Sequence, residues 1–101
     1  MSKLTRLAEG MPCMARIAGI CNFDSRTTVF CHLNDLCLGH GIGIKVPDLL
    51  GFFGCTSCHD YCDGRRFGAT REAKRSAAHE AHCRTLAYLL ANDLIAVKVT
   101  K

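Results

Sequence analysis

The stretch Cys55-Thr56-Ser57-Cys58-His59 sets two thiols with two residues between them, next to an imidazole. That spacing lets both sulfurs point at one metal ion from a single knuckle. A tetrahedral site needs two more ligands. Cys13 and Cys21 flank a short, turn-rich segment upstream and converge on the knuckle if that segment folds back as a small hairpin. The expected centre is a structural zinc ion held by Cys13, Cys21, Cys55 and Cys58. Cys62 or Cys37 stands as the replacement for one ligand, and the competing reading makes Cys13 and Cys21 small buried hydrophobes. A redox pair at Cys55 and Cys58 is disfavoured, because no thioredoxin-like βαβ pattern surrounds them.

The rest of the composition asks for such a staple. A chain of 101 residues with no Trp and few other aromatics builds only a modest core. Its eight cysteines fit either a disulfide framework or a metal site. The first ten residues carry Lys3, Arg6 and Glu9 and no apolar run of seven or more, so no signal peptide is expected. A cytoplasmic chain with reduced, metal-binding thiols is the expectation, and no run reaches the length of a membrane-spanning helix. The formal net charge of +4 permits a phosphate-rich partner without requiring one.

Working outward from the knuckle, one α+β domain over residues 1–101 is expected. A short helix should cover Ser2 to Glu9, stopped by Gly10 and Pro12. Cys13 to Ile20 reads as a short extended piece, Cys21-Asn22-Phe23-Asp24 as a turn, and Thr27 to Leu33 as a strand. Gly39 to Gly43 must be a loop, continued by Pro47-Asp48. Leu49 to Gly54 reads as a second strand leading into the knuckle, and Ser57 to Cys62 as a short helix. Thr70 to Asn92 is the strongest helix, with Thr70 as cap, Glu72 in its first turn, and Ala73, Ala77, Ala81, Tyr88 and Leu89 near one face. Ile95 to Val99 reads as a closing strand.

Three residues near the knuckle carry possible chemistry. His59 and Asp63 lie four apart, so on a helix they share a face and can clamp one divalent cation. Imidazole plus carboxylate suits Mg²⁺ or Mn²⁺ with open water positions. His32, at the end of the first strand, offers an imidazole as general base. Arg65, Arg66, Arg71, Lys74 and Arg75 follow, placed to hold a nucleic-acid backbone. The plainer readings are a hydrogen-bonded strand histidine for His32, a packing residue for His59, a solvated helix-end carboxylate for Asp63, and a solvated basic face. His79 and His82, beside Cys83, read as surface residues, and Cys37 with His40 as a weaker second metal pair. The glycines from Gly39 to Gly43 lack the residues that complete a phosphate loop.

The pattern Cys13-Met14-Ala15-Arg16-Ile17-Ala18-Gly19-Ile20-Cys21-Asn22, then His32-Leu33, Gly41-Ile42-Gly43-Ile44-Lys45, Pro47-Asp48-Leu49, and Cys55-Thr56-Ser57-Cys58-His59 with Asp63, resembles the YbcO-like nucleases of phages and prophages. More distantly it resembles the HNH (ββα-metal) endonucleases. The resemblance spans residues 3 to 95. It implies a small zinc-stabilised ββα-metal domain with a long C-terminal helix, hydrolysing DNA phosphodiesters with Mg²⁺ or Mn²⁺. It also implies His32 as base, Asp48 where an Asn usually orients that base, and His59 with Asp63 as ligands of the catalytic ion. Lys45 and the arginines would touch DNA, and a phage recombinase is a candidate protein partner. One departure is Cys31, in a position where these enzymes often carry a metal-binding Asp or His. It reads as strand packing, since a thiol is a poor Mg²⁺ ligand.

Overall fold

The computed structural model describes residues 3–33, 49–63 and 70–98. Asp48, Lys45, Arg65, Arg66, Cys37 and His40, with the Gly39–Gly43 loop, lie outside them. Two β-strands form an antiparallel hairpin, β1 (Val29–His32) and β2 (Gly51–Gly54), with Phe30 opposite Phe53, Cys31 opposite Phe52, and His32 opposite Gly51. Helix α1 (Lys3–Leu7) precedes them, α2 (Thr56–Cys62) follows directly, and α3 (Arg71–Ala91) packs along β2. The expected mixed α+β order with a long C-terminal helix is present.

The hairpin is buried on both faces, and its alternation sorts the core into two clusters. Cys31 and Phe52 face Cys13, Ala15, Cys55, Cys58 and Ala81. Phe30 and Phe53 face Ala8, Met14 and Leu89. Gly51 and Gly54 bracket the two phenylalanines because neither position has room for a side chain. A Cβ at Gly51 would sit 2.5 Å from the Cys31 carbonyl oxygen.

Helix α3 begins where expected: Thr70 accepts a hydrogen bond from the Ala73 amide at 3.0 Å through its side-chain oxygen. Its buried stripe, however, is Ala81, Thr85 and Leu89, and Ala73 is exposed. Ala81 and Leu89 are on the face expected, and Thr85 joins them because its hydroxyl is satisfied internally, donating to Ala81 O at 2.8 Å and accepting from the Phe53 amide at 3.1 Å. That second bond fastens α3 to β2.

Two expected extended pieces are absent. Cys13 to Ile20 folds as two tight turns, with Arg16 at φ 48° and Gly19 at φ 75°. The reason is electrostatic: the turns aim backbone N–H groups at the cysteine sulfurs, which an extended strand cannot do. Ile95 to Lys98 is irregular rather than a strand. Asp93, at φ 54°, takes the left-handed position after α3, and the Leu94 amide bonds to Leu89 O at 2.9 Å. That helix-ending motif turns the chain back so that Ile95 packs beside the Leu89 cluster.

Candidate metal centre and its flanking histidines

Cys13, Cys21, Cys55 and Cys58 present their sulfurs within 4.8 Å of one another. For a Zn–S bond of about 2.3 Å, the edge of a tetrahedron is about 3.8 Å. The Cys21 and Cys55 sulfurs are 3.8 Å apart, far too distant for a disulfide and at that edge length. Cys13, Cys55 and Cys58 are buried and Cys21 half-buried. The cluster can hold a structural metal such as zinc. A hairpin is not what makes Cys13 and Cys21 converge; the two turns do.

The backbone supports negative charge on these sulfurs. The Arg16 amide points at Cys13 Sγ (3.5 Å), the Phe23 amide at Cys21 Sγ (3.4 Å), and the Cys58 amide at Cys55 Sγ (3.4 Å). Cys55 thereby also caps α2. A hydrogen bond from the Cys58 thiol draws the Cys13 thiol down to about 4, so one thiolate forms readily. The same contact pushes Cys58 up, and burial pushes up Cys21. Further thiolates are opposed by the first. A dication between them removes that opposition, which is the chemistry a tetrathiolate site supplies.

Two side chains clamp the knuckles to the rest of the fold. Arg84 of α3 donates from Nη1 to Met14 O at 2.8 Å and to Ala15 O at 3.4 Å. Asn22 donates from Nδ2 to Thr27 Oγ1 at 3.1 Å, Ser57 Oγ at 3.4 Å and Thr56 Oγ1 at 3.5 Å, tying the Cys21 turn to the first turn of α2. The sequence reading placed Asn22 in a turn without this role and did not name Arg84, because long-range polar partners leave no periodic signature.

Beside the centre, His59 Nε2 and Asp63 Oδ2 are 2.9 Å apart on α2, so the four-residue spacing does bring them together. Helix α2 packs on both strands. Asp63 lies near enough to Cys31 for its charge to add to the burial that raises that thiol. Cys31 is buried in the core, as strand packing requires. His32, half-buried at the end of β1, sets its ring edge-on to Phe30 with centroids 5.3 Å apart. Of the basic residues, Arg71 and Arg75 are exposed on the first turns of α3, while Lys74 is half-buried.

His82 corrects the surface reading given to it. It is half-buried, and its Nδ1 lies 2.7 Å from the carbonyl oxygen of Gly51, the strand partner of His32. A carbonyl only accepts, so Nδ1 carries the proton and, in the neutral ring, Nε2 keeps its lone pair. The available signal was its place four residues after Ala78 and three before Thr85, beside the buried stripe.

The fold and the site define a small α+β protein built around a four-cysteine cluster that can hold a metal ion. The chain belongs to the family described as "Putative nuclease YbcO", whose sequence model matches residues 2–94. It is 35% identical over 97 residues to "Putative nuclease YbcO" of Escherichia coli strain K12, covering 94% of this chain and 98% of that protein. The same figures hold for "Putative nuclease ybcO" of Enterobacteria phage 82. A solved structure, "Structure of a putative bacteriophage protein from Escherichia coli str. K-12 substr. MG1655", superposes with a TM-score of 0.75 at 30% identity, covering 88% of this chain and 98% of that chain.

Proposed function

We propose that this chain is a zinc-stabilised, HNH-type endonuclease that hydrolyses DNA phosphodiester bonds with Mg²⁺ or Mn²⁺, acting in phage or prophage DNA processing in the cytoplasm of a bacterial host. The observation that carries this reading is the β1–β2–α2 arrangement, in which Asp63, paired with His59, lies in electrostatic reach of the residue that precedes His32. Family membership supports the nuclease class.

In this reading His32 takes a proton from water at the end of β1. His59 and Asp63 would hold the divalent ion, which when bound would supply positive charge for the scissile phosphate and the leaving oxygen. Asp48 orients His32. Lys45, Arg65, Arg66, Arg71, Lys74 and Arg75 hold the DNA backbone by charge, and the contribution of each falls with added salt. The four-cysteine zinc does no chemistry and fixes α2 against the hairpin.

The test is nicking of supercoiled plasmid in Mg²⁺ or Mn²⁺. The wild type should cleave and His32→Ala should not; equal cleavage by both removes His32 from the mechanism. A second reading is a non-catalytic zinc module that binds nucleic acid or a recombinase. The direct His59–Asp63 bond favours it, because each side chain already satisfies the other. Binding of a single metal ion per chain, with no cleavage even on recombinase-coated DNA, would establish it.

A further inference from the structure

Phe23 is the most exposed large apolar side chain among the described residues, at 80%. It also stands at φ 55°, a left-handed conformation that bulky side chains rarely adopt. Strain of this kind persists only where the surroundings enforce it. Here they do. The Phe23 amide points at Cys21 Sγ, the Asp24 amide bonds to Asn22 Oδ1 at 2.8 Å, and Asn22 is fastened to Thr56 and Ser57 of α2. The metal knuckle thus holds an aromatic ring out in solvent, on a turn braced against the helix that carries His59 and Asp63.

From this geometry we infer that Phe23 is a stacking platform for an unpaired base of a single-stranded nucleic acid. The inference rests on the nucleic-acid reading above and adds to it a substrate feature. The surroundings of the ring favour a base over a protein partner. Its sequence neighbours Asn22, Ser25 and Arg26 are polar and exposed, so its own turn gives the ring no apolar border of the kind that a protein interface core requires. Asp24 is matched by Arg26 in a two-pronged pair at 3.1 Å for each contact, so its charge does not stand unopposed against a phosphate. A base offers a π-face regardless of sequence, and a ring carried on a braced backbone pays a smaller ordering cost on stacking than one on a free loop.

Two variants test it on the zinc-loaded protein. Phe23→Gly removes the ring and relieves the backbone. It should keep the zinc and melt no lower than the wild type, yet bind a single-stranded oligonucleotide about tenfold more weakly in a fluorescence-anisotropy titration. Phe23→Trp introduces the chain's only tryptophan, whose emission should be quenched as oligonucleotide is added. Wild-type affinity in Phe23→Gly, with no quenching in Phe23→Trp, overturns the stacking role while leaving DNA binding intact. Failure of the wild type to bind either single-stranded or duplex DNA overturns both readings together. Emission that instead responds to protein concentration alone assigns Phe23 to a contact between copies of this chain and also overturns the inference.

Discussion

Thr85 is the residue whose role is least visible in its own chemistry. A threonine within a helix often bonds back to the carbonyl four residues earlier, and Thr85 does so with Ala81. What matters more is that its oxygen also accepts from the Phe53 amide, a buried donor on β2. Thr85→Val keeps the shape and orphans that amide, so it should cost about 1–3 kcal/mol in denaturant unfolding; an unchanged midpoint would show that the amide finds another partner. Cys62 sets a different limit. Burial first, then the charge of Asp63, pushes its thiol up to about 11. A thiol raised in the folded state favours folding while it stays protonated. That contribution is complete below the ordinary value of 9.0 and is lost as pH rises through about 11. Melting temperature should therefore fall between pH 9 and 11, and Cys62→Ala should flatten that decline.

At the scale of elements, β2 is the hinge of the design. It is four residues long, buried throughout, and framed by glycines for steric reasons. Gly51 is paired with His32 in the hairpin and gives its carbonyl to His82. Gly51→Ala would force the Cys31 carbonyl away by pushing a methyl against it. A cost of about 2 kcal/mol or more is expected from overpacking alone. Because the displaced strand carries His32, any cleavage activity should fall further than stability does, measured by nicking at a temperature where the variant is still folded. Helix α3 works by the opposite means. It reaches both cores with small residues near Ala81 and a large one at Leu89, and uses Arg84 to grip the carbonyls of the Cys13 turn.

For the molecule as a whole, a zinc ion at the four cysteines would dominate the energetics. A structural tetrathiolate zinc supplies roughly 10–16 kcal/mol of binding free energy, against a net stability of about 5–15 kcal/mol for a whole small domain. The four cysteines come from three separate pieces of chain: the turn after α1, the turn before β1, and the start of α2. Losing the ion would therefore remove the tie that joins the Cys13 and Cys21 turns to the start of α2, leaving the Arg84 and Asn22 hydrogen bonds and the packing of Ala8 and Met14 to hold that segment. Elemental analysis should find one zinc per chain at the four cysteines, and a strong chelator should abolish the cooperative melt seen by circular dichroism. A metal-free protein with an unchanged spectrum and melt would refute this. Among the described residues no helix is long and apolar enough to cross a membrane.

Local patterns carried much of this. The cysteine spacing, the capping threonine at Thr70, the turn at Cys21-Asn22-Phe23-Asp24 and the four-residue step from His59 to Asp63 are short-range facts. A knuckle, a cap and a helix face each depend on residues within one turn of each other, so they can be read from order alone. The misreadings share a different cause. The Cys13–Ile20 segment holds tight turns because its amides answer to sulfurs, Arg16 to Cys13 within the segment and Ile17 to Cys58 from the distant knuckle. Thr85, Asn22, Arg84 and His82 found their parts through partners between 31 and 70 residues away, or from 34 residues in the case of Asn22. Ile95 abandoned a plausible strand because Asp93 turned the chain onto Leu89. Such choices depend on which distant polar group needs a partner, and that need exists only once the chain has folded.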